Sequence, residues 1–248
     1  MRVTARGIAA ALVVLVVLVV AAVCVRLGFW QLDRLEQRRT RNAAAAEALA
    51  LPPLELRGAE LAAISREPER YVGRRARVVG IYDPAGETVL RGRSHAGRPG
   101  VHVVTPLLIE GSDTVVLVNR GWVPSPDGAT VDLQPLREPG VHDIVGLLQL
   151  VPHAGAESAP TESEVSGARR TTYRRLDLAT LEAQLPYPLL PLYVVQLPDA
   201  SLPELPVRVP APTLDEGSHL SYAVQWFSFA AIAVIGFLVA VWRRVRAE

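Results

Sequence analysis

Lysine is absent from this chain, and cysteine and methionine occur once each. The lone Cys24 has no second thiol to meet, so no disulfide, no Cys-x-x-Cys redox pair and no covalent c-type haem attachment are expected. Beyond Met1 and Cys24 the soft ligands that a copper carrier uses are missing, and no copper site is predicted. Every fixed cation is arginine, which reads as codon usage and carries no functional weight. Also missing are a Gly-x-Ser-x-Gly elbow, a His-Glu-x-x-His zinc motif and a phosphate-binding glycine loop. No Ser, Asp and His fall at a spacing that marks a triad. Enzymatic activity has no support here, and no nucleic-acid partner is expected.

Long uncharged runs are what the chain does have. Ile8 to Val25 is eighteen residues without a charge, and Tyr222 to Trp242 is also uncharged, its polar members gathered near its start. A hydrocarbon core about 30 Å thick needs about 20 helical residues, so both runs predict membrane spans. Arg2 and Arg6 with Ala21-Ala22 resemble a signal peptide weakly. The apolar run is longer than the usual h-region of about 7–15 residues, however, and flows on through Leu27 to Gln31, so it reads as a retained anchor. Trp30 and Trp242 would then sit at opposite headgroup levels.

Charge sets the expected orientation. The tails carry Arg2, Arg6, Arg243, Arg244 and Arg246 against Glu248, whereas residues 27–218 hold 20 Arg and 24 acidic residues. Positive-inside logic places both termini in the cytoplasm and the middle outside it. The expected layout is a tail at 1–7, a span at 8–29, an extracytoplasmic domain at 30–218, a span at 219–242 and a tail at 243–248. Too few residues precede the first span for a mitochondrial presequence, so a bacterial cytoplasmic membrane is the expected home. The outer domain must be held by burial alone, and about 190 residues suffice for that.

Within that domain, Trp30 to Ala50 has a helical pattern that Pro52-Pro53 stop. Gly58–Glu67 reads as a short helix. Strands are predicted at 74–82, 87–93, 101–108, 114–123, 142–151 and 192–197, where Val, Ile, Leu and Thr cluster between turn residues. The run Thr114 to Val118 is apolar on both faces and predicts a central strand. Pro152–Gly167 reads as a mobile loop, Asp177 as the cap of a helix to about Gln184, and 186–212 as an extended return. The predicted fold class is α+β, a mainly antiparallel sheet or partial barrel flanked by two transmembrane helices.

Five histidines are candidates for chemistry. His95, His142 and His153 fall in turn-like or strand-edge positions and read as solvated surface. His102 lies inside a strand, where a hydrogen-bonded structural role is expected. His219 stands at the mouth of the second run, where His219, Tyr222 and Trp226 fall at i, i+3 and i+7 on one helical stripe with Gln225 beside it. A neutral imidazole beside aromatic surface at the bilayer edge suits an axial ligand of haem iron. The same residues also suit plain interfacial anchoring, and both readings stand at this point.

Four blocks in this order resemble the Surfeit locus protein family of the first type, membrane-bound assembly factors for cytochrome c oxidase. They are Leu27-Gly28-Phe29-Trp30-Gln31 with Arg34, the segment Arg98 to Leu107 with Gly100, Thr105 and Pro106, the segment Val116 to Pro124, and His219 to Phe227. The third, with Asn119-Arg120-Gly121-Trp122 and Pro124, is the most distinctive. The resemblance spans nearly the whole chain and departs mainly in the 152–171 loop.

That resemblance implies a non-enzymatic part in building a haem–copper oxidase, with haem a held transiently and passed to the catalytic subunit. It makes His219 the candidate axial ligand, with Tyr222, Gln225, Trp226 and Trp30 around the haem. It implies the oxidase catalytic subunit, the haem a synthesis enzyme and the lipid bilayer as partners. A scaffold that stabilises an assembly intermediate without haem is the alternative. Gly121 and Pro124 read as structural, while Arg120 is open between a packed turn and a haem propionate or partner carboxylate.

Overall fold

The computed structural model describes residues 5–152 and 160–246, which divide into two units, Met1–Ala46 with Thr213–Glu248 and Glu47–Pro212. His153, Arg2 and residues 153–159 of the expected loop lie outside the described residues.

The first unit is built on helices α1 (Ala5–Ala50) and α4 (His219–Arg246), both long and apolar enough to cross a membrane. α1 runs unbroken through the expected span and stalk, because Ala, Leu, Glu and Arg favour helix and the first proline after Ala50 is Pro52. Ala21 and Cys24 of α1 are buried with Ala230 of α4, and Trp226 packs against them. Ala21, Cys24, Gly28 and Gln31 recur at three- and four-residue steps, as do His219, Ala223, Trp226 and Ala230. Such spacing makes one seam on each helix. The free Cys24 is buried in that seam.

In the second unit the strands are β1 (Leu54–Glu55), β2 (Arg75–Tyr82), β3 (Thr88–His95), β4 (Arg98–Ile109), β5 (Val115–Pro124) and β6 (Val141–Leu150). They are followed by β7 (Thr161–Val165), β8 (Ala168–Thr172) and β9 (Leu189–Gln196), with short helices α2 (Ala59–Arg66) and α3 (Leu178–Gln184). Seven strands form a sheet in the order β1-β2-β6-β9-β5-β4-β3. β2 also pairs with β4, which closes β2, β6, β9, β5 and β4 into a five-stranded barrel. The barrel is closed, and β5–β9 and β1–β2 are parallel within an otherwise antiparallel arrangement.

Alternation along the strands sends Val78, Leu107, Val116, Val118, Ile144 and Val194 into one buried cluster, joined by Leu61 and Ile64 of α2. The opposite face of β5 buries Val115 and Leu117 against Tyr173 and the α3 residues Leu178 and Leu181. This two-sided burial is why 114–118 carries no polar alternation. Asp177 caps α3 as expected, accepting a hydrogen bond from the Thr180 amide at 2.9 Å.

Part of the segment expected to be a mobile loop is ordered instead. β7 and β8 form a hairpin whose turn residues Ser166 and Gly167 both have positive φ, at 52° and 75°. That backbone matches the twist of paired strands. Val165 anchors the hairpin in a third cluster with Val101 and Val131.

Candidate functional site

Two of the expected groups of residues are assembled by the fold, one in each unit. In the first unit, His219 is half-buried at the start of α4, and its Nδ1 lies 2.9 Å from Oε1 of Gln31. Among the described residues no group hydrogen-bonds its Nε2. Each residue of the block Gly28 to Gln31 has a separate task. A Cβ on Gly28 would lie 2.6 Å from the Phe227 ring, so the glycine lets that ring rest on the α1 backbone. Phe29 meets Phe227 edge-on with centroids 5.4 Å apart. The Trp30 ring lies under the Arg34 guanidinium at 5.5 Å, a cation–π arrangement.

The segment before α4 is strapped to α1 by residues that sequence reasoning missed. Arg38 Nε donates to the Asp215 carbonyl at 3.1 Å, and Asn42 donates to the same oxygen at 2.7 Å. Arg39 grips the Glu216 carboxylate through Nε at 2.8 Å and Nη2 at 2.9 Å. Together with Gln31, these bonds fix where α4 begins and hence where His219 stands. Only chain folding brings residues 38–42 beside 215–216, so no local spacing announced the strap.

The expected single stripe of His219, Tyr222 and Trp226 is divided in the structure. His219 and Trp226 lie on the seam with Ala223, whereas Tyr222 and Gln225 are exposed. Ala223, four residues after His219, is buried.

The second group gathers around Arg120 of β5. β5 carries a bulge at Arg120, since Val103 pairs with Gly121 while Val104 pairs with Asn119. Arg120 is 2% exposed. Its Nη1 donates to Glu87 at 3.1 Å, and its Nη2 donates to Glu138 at 2.8 Å and to the Leu136 carbonyl. Its guanidinium also lies 5.0 Å from the Tyr82 ring centroid. Thr105 donates to Glu87 at 2.7 Å, and the buried Arg208 donates to Glu138 at 2.8 Å.

Burial pushes the Glu87 carboxyl above the ordinary glutamate range, against the pull of Thr105 and Arg120. Burial also opposes the charge on Glu138, but hydrogen bonds and attraction from Arg120 and Arg208 outweigh it and hold that carboxyl below its usual value. Both Nη groups of Arg120 are thus committed to largely buried partners. Its partners are groups of the chain itself, the Glu87 and Glu138 carboxylates and the Leu136 carbonyl.

Gly121 has φ of 121°, and a Cβ there would collide with the Val207 carbonyl. The close approach lets Trp122 exchange backbone hydrogen bonds with Val207 at 2.8 and 2.7 Å, which fastens the proline-rich return to β5. Gly100 opposes Pro124 and makes room for the Trp122 indole. Pro106 accepts from the Asp83 amide at 2.8 Å.

His102 is hydrogen-bonded, as its place in a strand suggested. The Gly121 amide donates to Asn119 Oδ1 at 3.1 Å, which turns the Asn119 amide nitrogen toward His102 Nδ1, also at 3.1 Å. Nδ1 therefore accepts, and the ring proton sits on Nε2. Burial, aided by Arg93 and His95, pushes the His102 imidazole down to about 4. His95 is exposed as expected, with its ring 5.3 Å from that of Trp122. His142 is not solvated surface; it is half-buried, with Nε2 2.8 Å from the Glu138 carbonyl and its ring against Tyr82.

A histidine that holds haem iron needs a ring nitrogen with its lone pair free, and His219 and His102 differ in this respect. His219 presents Nε2 with Nδ1 already paired to an acceptor oxygen, a donor set that fits haem iron. His102 has Nδ1 occupied and Nε2 protonated and does not fit. No group of three or more His, Cys, Asp or Glu side chains placed to hold a metal ion occurs among the described residues.

Comparison with known proteins bears on the same residues. The family model described as the SURF1 family matches residues 18–231, which takes in α1 from Leu18, the barrel and the mouth of α4. A SURF1-like protein of Rickettsia felis is 26% identical over 91% of this chain and 95% of its own length. Surfeit locus protein 1 of Mus musculus is 26% identical over 86% of this chain and 71% of its own. An uncharacterised SURF1-like protein of Mycobacterium tuberculosis H37Rv is 26% identical over 88% of this chain and 78% of its own. The chain belongs to the SURF1 family.

Proposed function

We propose that this chain is an assembly factor for a haem–copper terminal oxidase, the role for which its family is broadly known, and that it holds haem a in transient custody for the catalytic subunit. The observation that carries the haem reading is the half-buried His219, whose Nε2 has no hydrogen-bond partner among the described residues. Haem a, when bound, would supply an iron able to accept an imidazole nitrogen, and His219 would hold it. His219 would bind the iron, while Gln31 holds its ring and the strap through Arg38, Arg39 and Asn42 fixes the start of α4. Exposed Trp30, Tyr222 and Gln225 offer apolar and polar surface at the same end of the helix pair.

One histidine would hold haem more weakly than a closed two-ligand pocket, as handing it on requires. No catalytic role is proposed. The arginines that follow the second apolar run support an orientation with the C-terminal tail in the cytoplasm and the barrel outside it, as in a bacterial cytoplasmic membrane protein. There the barrel would meet the oxidase catalytic subunit and the haem a synthesis enzyme.

A scaffold role without haem is the second reading. It is favoured by Trp226, which is spent on packing against Ala21, Cys24 and Ala230 rather than lining a cofactor site. The two separate in membranes from cells producing His219→Ala at the wild-type level. Custody requires oxidase haem a content to fall, whereas unchanged content leaves the scaffold.

A further inference from the structure

We infer that Gln31 is a positioning residue for His219, holding the imidazole in the tautomer that leaves Nε2 unprotonated and able to bind a metal centre. The inference rests on the haem-custody reading and adds to it the residue that makes the histidine a ligand.

A neutral imidazole carries one N–H, so whichever nitrogen donates leaves the other with a free lone pair. Gln31 Oε1 is an acceptor only and lies 2.9 Å from Nδ1 of His219. The proton therefore sits on Nδ1 and the lone pair on Nε2. Metal-binding histidines nearly always donate their other ring N–H to a carbonyl, a carboxylate or water, which fixes the ring and raises its basicity. Gln31 supplies such a carbonyl from the neighbouring helix.

The pair is held at its distance by two independent features. One turn earlier on α1, Gly28 lets the Phe227 ring of α4 rest on the helix backbone. On the other side of His219, Asp215 and Glu216 are tied to Arg38, Arg39 and Asn42. Neither side chain of the Gln31–His219 pair has to search for the other.

The chain contains a second histidine–amide pair of opposite polarity, which sharpens the inference. At His102 the Gly121 amide claims the Asn119 oxygen, so an amide nitrogen faces Nδ1 and the proton is driven to Nε2. At His219 an amide oxygen faces Nδ1 and the proton is driven there. One arrangement closes a histidine to metals and the other opens it.

The test is nitrogen-15 NMR of the haem-free full chain in detergent with labelled histidine, the His219 signals being identified by their loss in His219→Ala. Wild type is expected to show His219 protonated at Nδ1 and unprotonated at Nε2. Gln31→Leu should move the proton toward Nε2 and weaken uptake of added ferric haem a by about 10–100-fold. Gln31→Glu keeps an acceptor and removes the amide donor, so it should retain both the tautomer and the uptake. A wild-type proton on Nε2, or haem uptake by Gln31→Leu equal to wild type, overturns the inference. Wild type with Nδ1 protonated that takes up no haem overturns the custody reading and leaves the tautomer pairing standing.

Discussion

Arg120 Nη2 and Arg208 Nη2 each lie 2.8 Å from the same Glu138 oxygen, where both guanidinium groups are 3% exposed. A third link, Arg120 to Glu87, brings a second carboxylate into the cluster. Removing one partner of such a network strands charge out of water and typically destabilises by about 3–5 kcal/mol. Arg120→Met should therefore lower the unfolding midpoint of the barrel by about that free energy. Arg120→Lys should recover little, because a point ammonium cannot reproduce a planar fork. A midpoint for Arg120→Met equal to wild type would contradict the assignment.

His102 should make barrel stability depend on pH above the carboxylate range. Its folded value lies near 4 and its ordinary value is 6.5, so the unfolded chain binds the extra proton first. The stability it contributes is fully present above pH 6.5 and is lost as pH falls toward 4. Its share of the slope is at most about 1.4 kcal/mol per pH unit. His102→Gln should flatten the decline between about pH 6.5 and 5 in denaturant titrations. Equal slopes for the two proteins would refute this.

Gly28 and Phe227 should behave as a coupled pair. Gly28→Ala places a methyl 2.6 Å from the ring and should destabilise the helix pair by about 1–3 kcal/mol. In Gly28→Ala with Phe227→Ala the methyl meets no ring, so the combined loss should be smaller than the sum of the single losses. Unfolding midpoints in detergent measure all three. Strict additivity would mean that the two residues do not share a contact.

Gly121→Ala should loosen the return to β5 rather than the barrel itself. Alanine is strained at φ of 121° and its methyl meets the Val207 carbonyl. Hydrogen exchange at the Trp122 and Val207 amides should quicken while that at Val118 stays slow. Protection unchanged at Val207 would show that the close approach does not matter.

Much of this architecture was legible because the signals were local. Two uncharged runs announced α1 and α4, and the apolar faces of 114–118 announced a strand covered on both sides. Asp177 and the prolines at 52 and 53 marked helix ends where the helices do begin and stop. The β7–β8 hairpin was missed because Thr161–Thr172 is polar, with Val165 its one large apolar residue; Ser166-Gly167 was the turn signal available. Closure of the barrel through β2 and β4 and the parallel β5–β9 pairing depend on strands far apart in sequence.

The site divides in the same way. His219 could be singled out by its place at the mouth of an apolar run, and Gln31 by the block that contains it. Their pairing across 188 positions could not be read locally. Neither could the burial of Arg120, because Glu87, Glu138 and Arg208 become its neighbours only when the barrel closes.

The central claim is that His219 holds haem, and the most direct measurement is a visible absorption spectrum. The protein would be purified in detergent from cells that make haem a, with His219→Ala prepared in parallel. A haem band in wild type that is lost in His219→Ala is the expected result. A band that survives the substitution, or none in wild type purified with haem a available and retained, would contradict it.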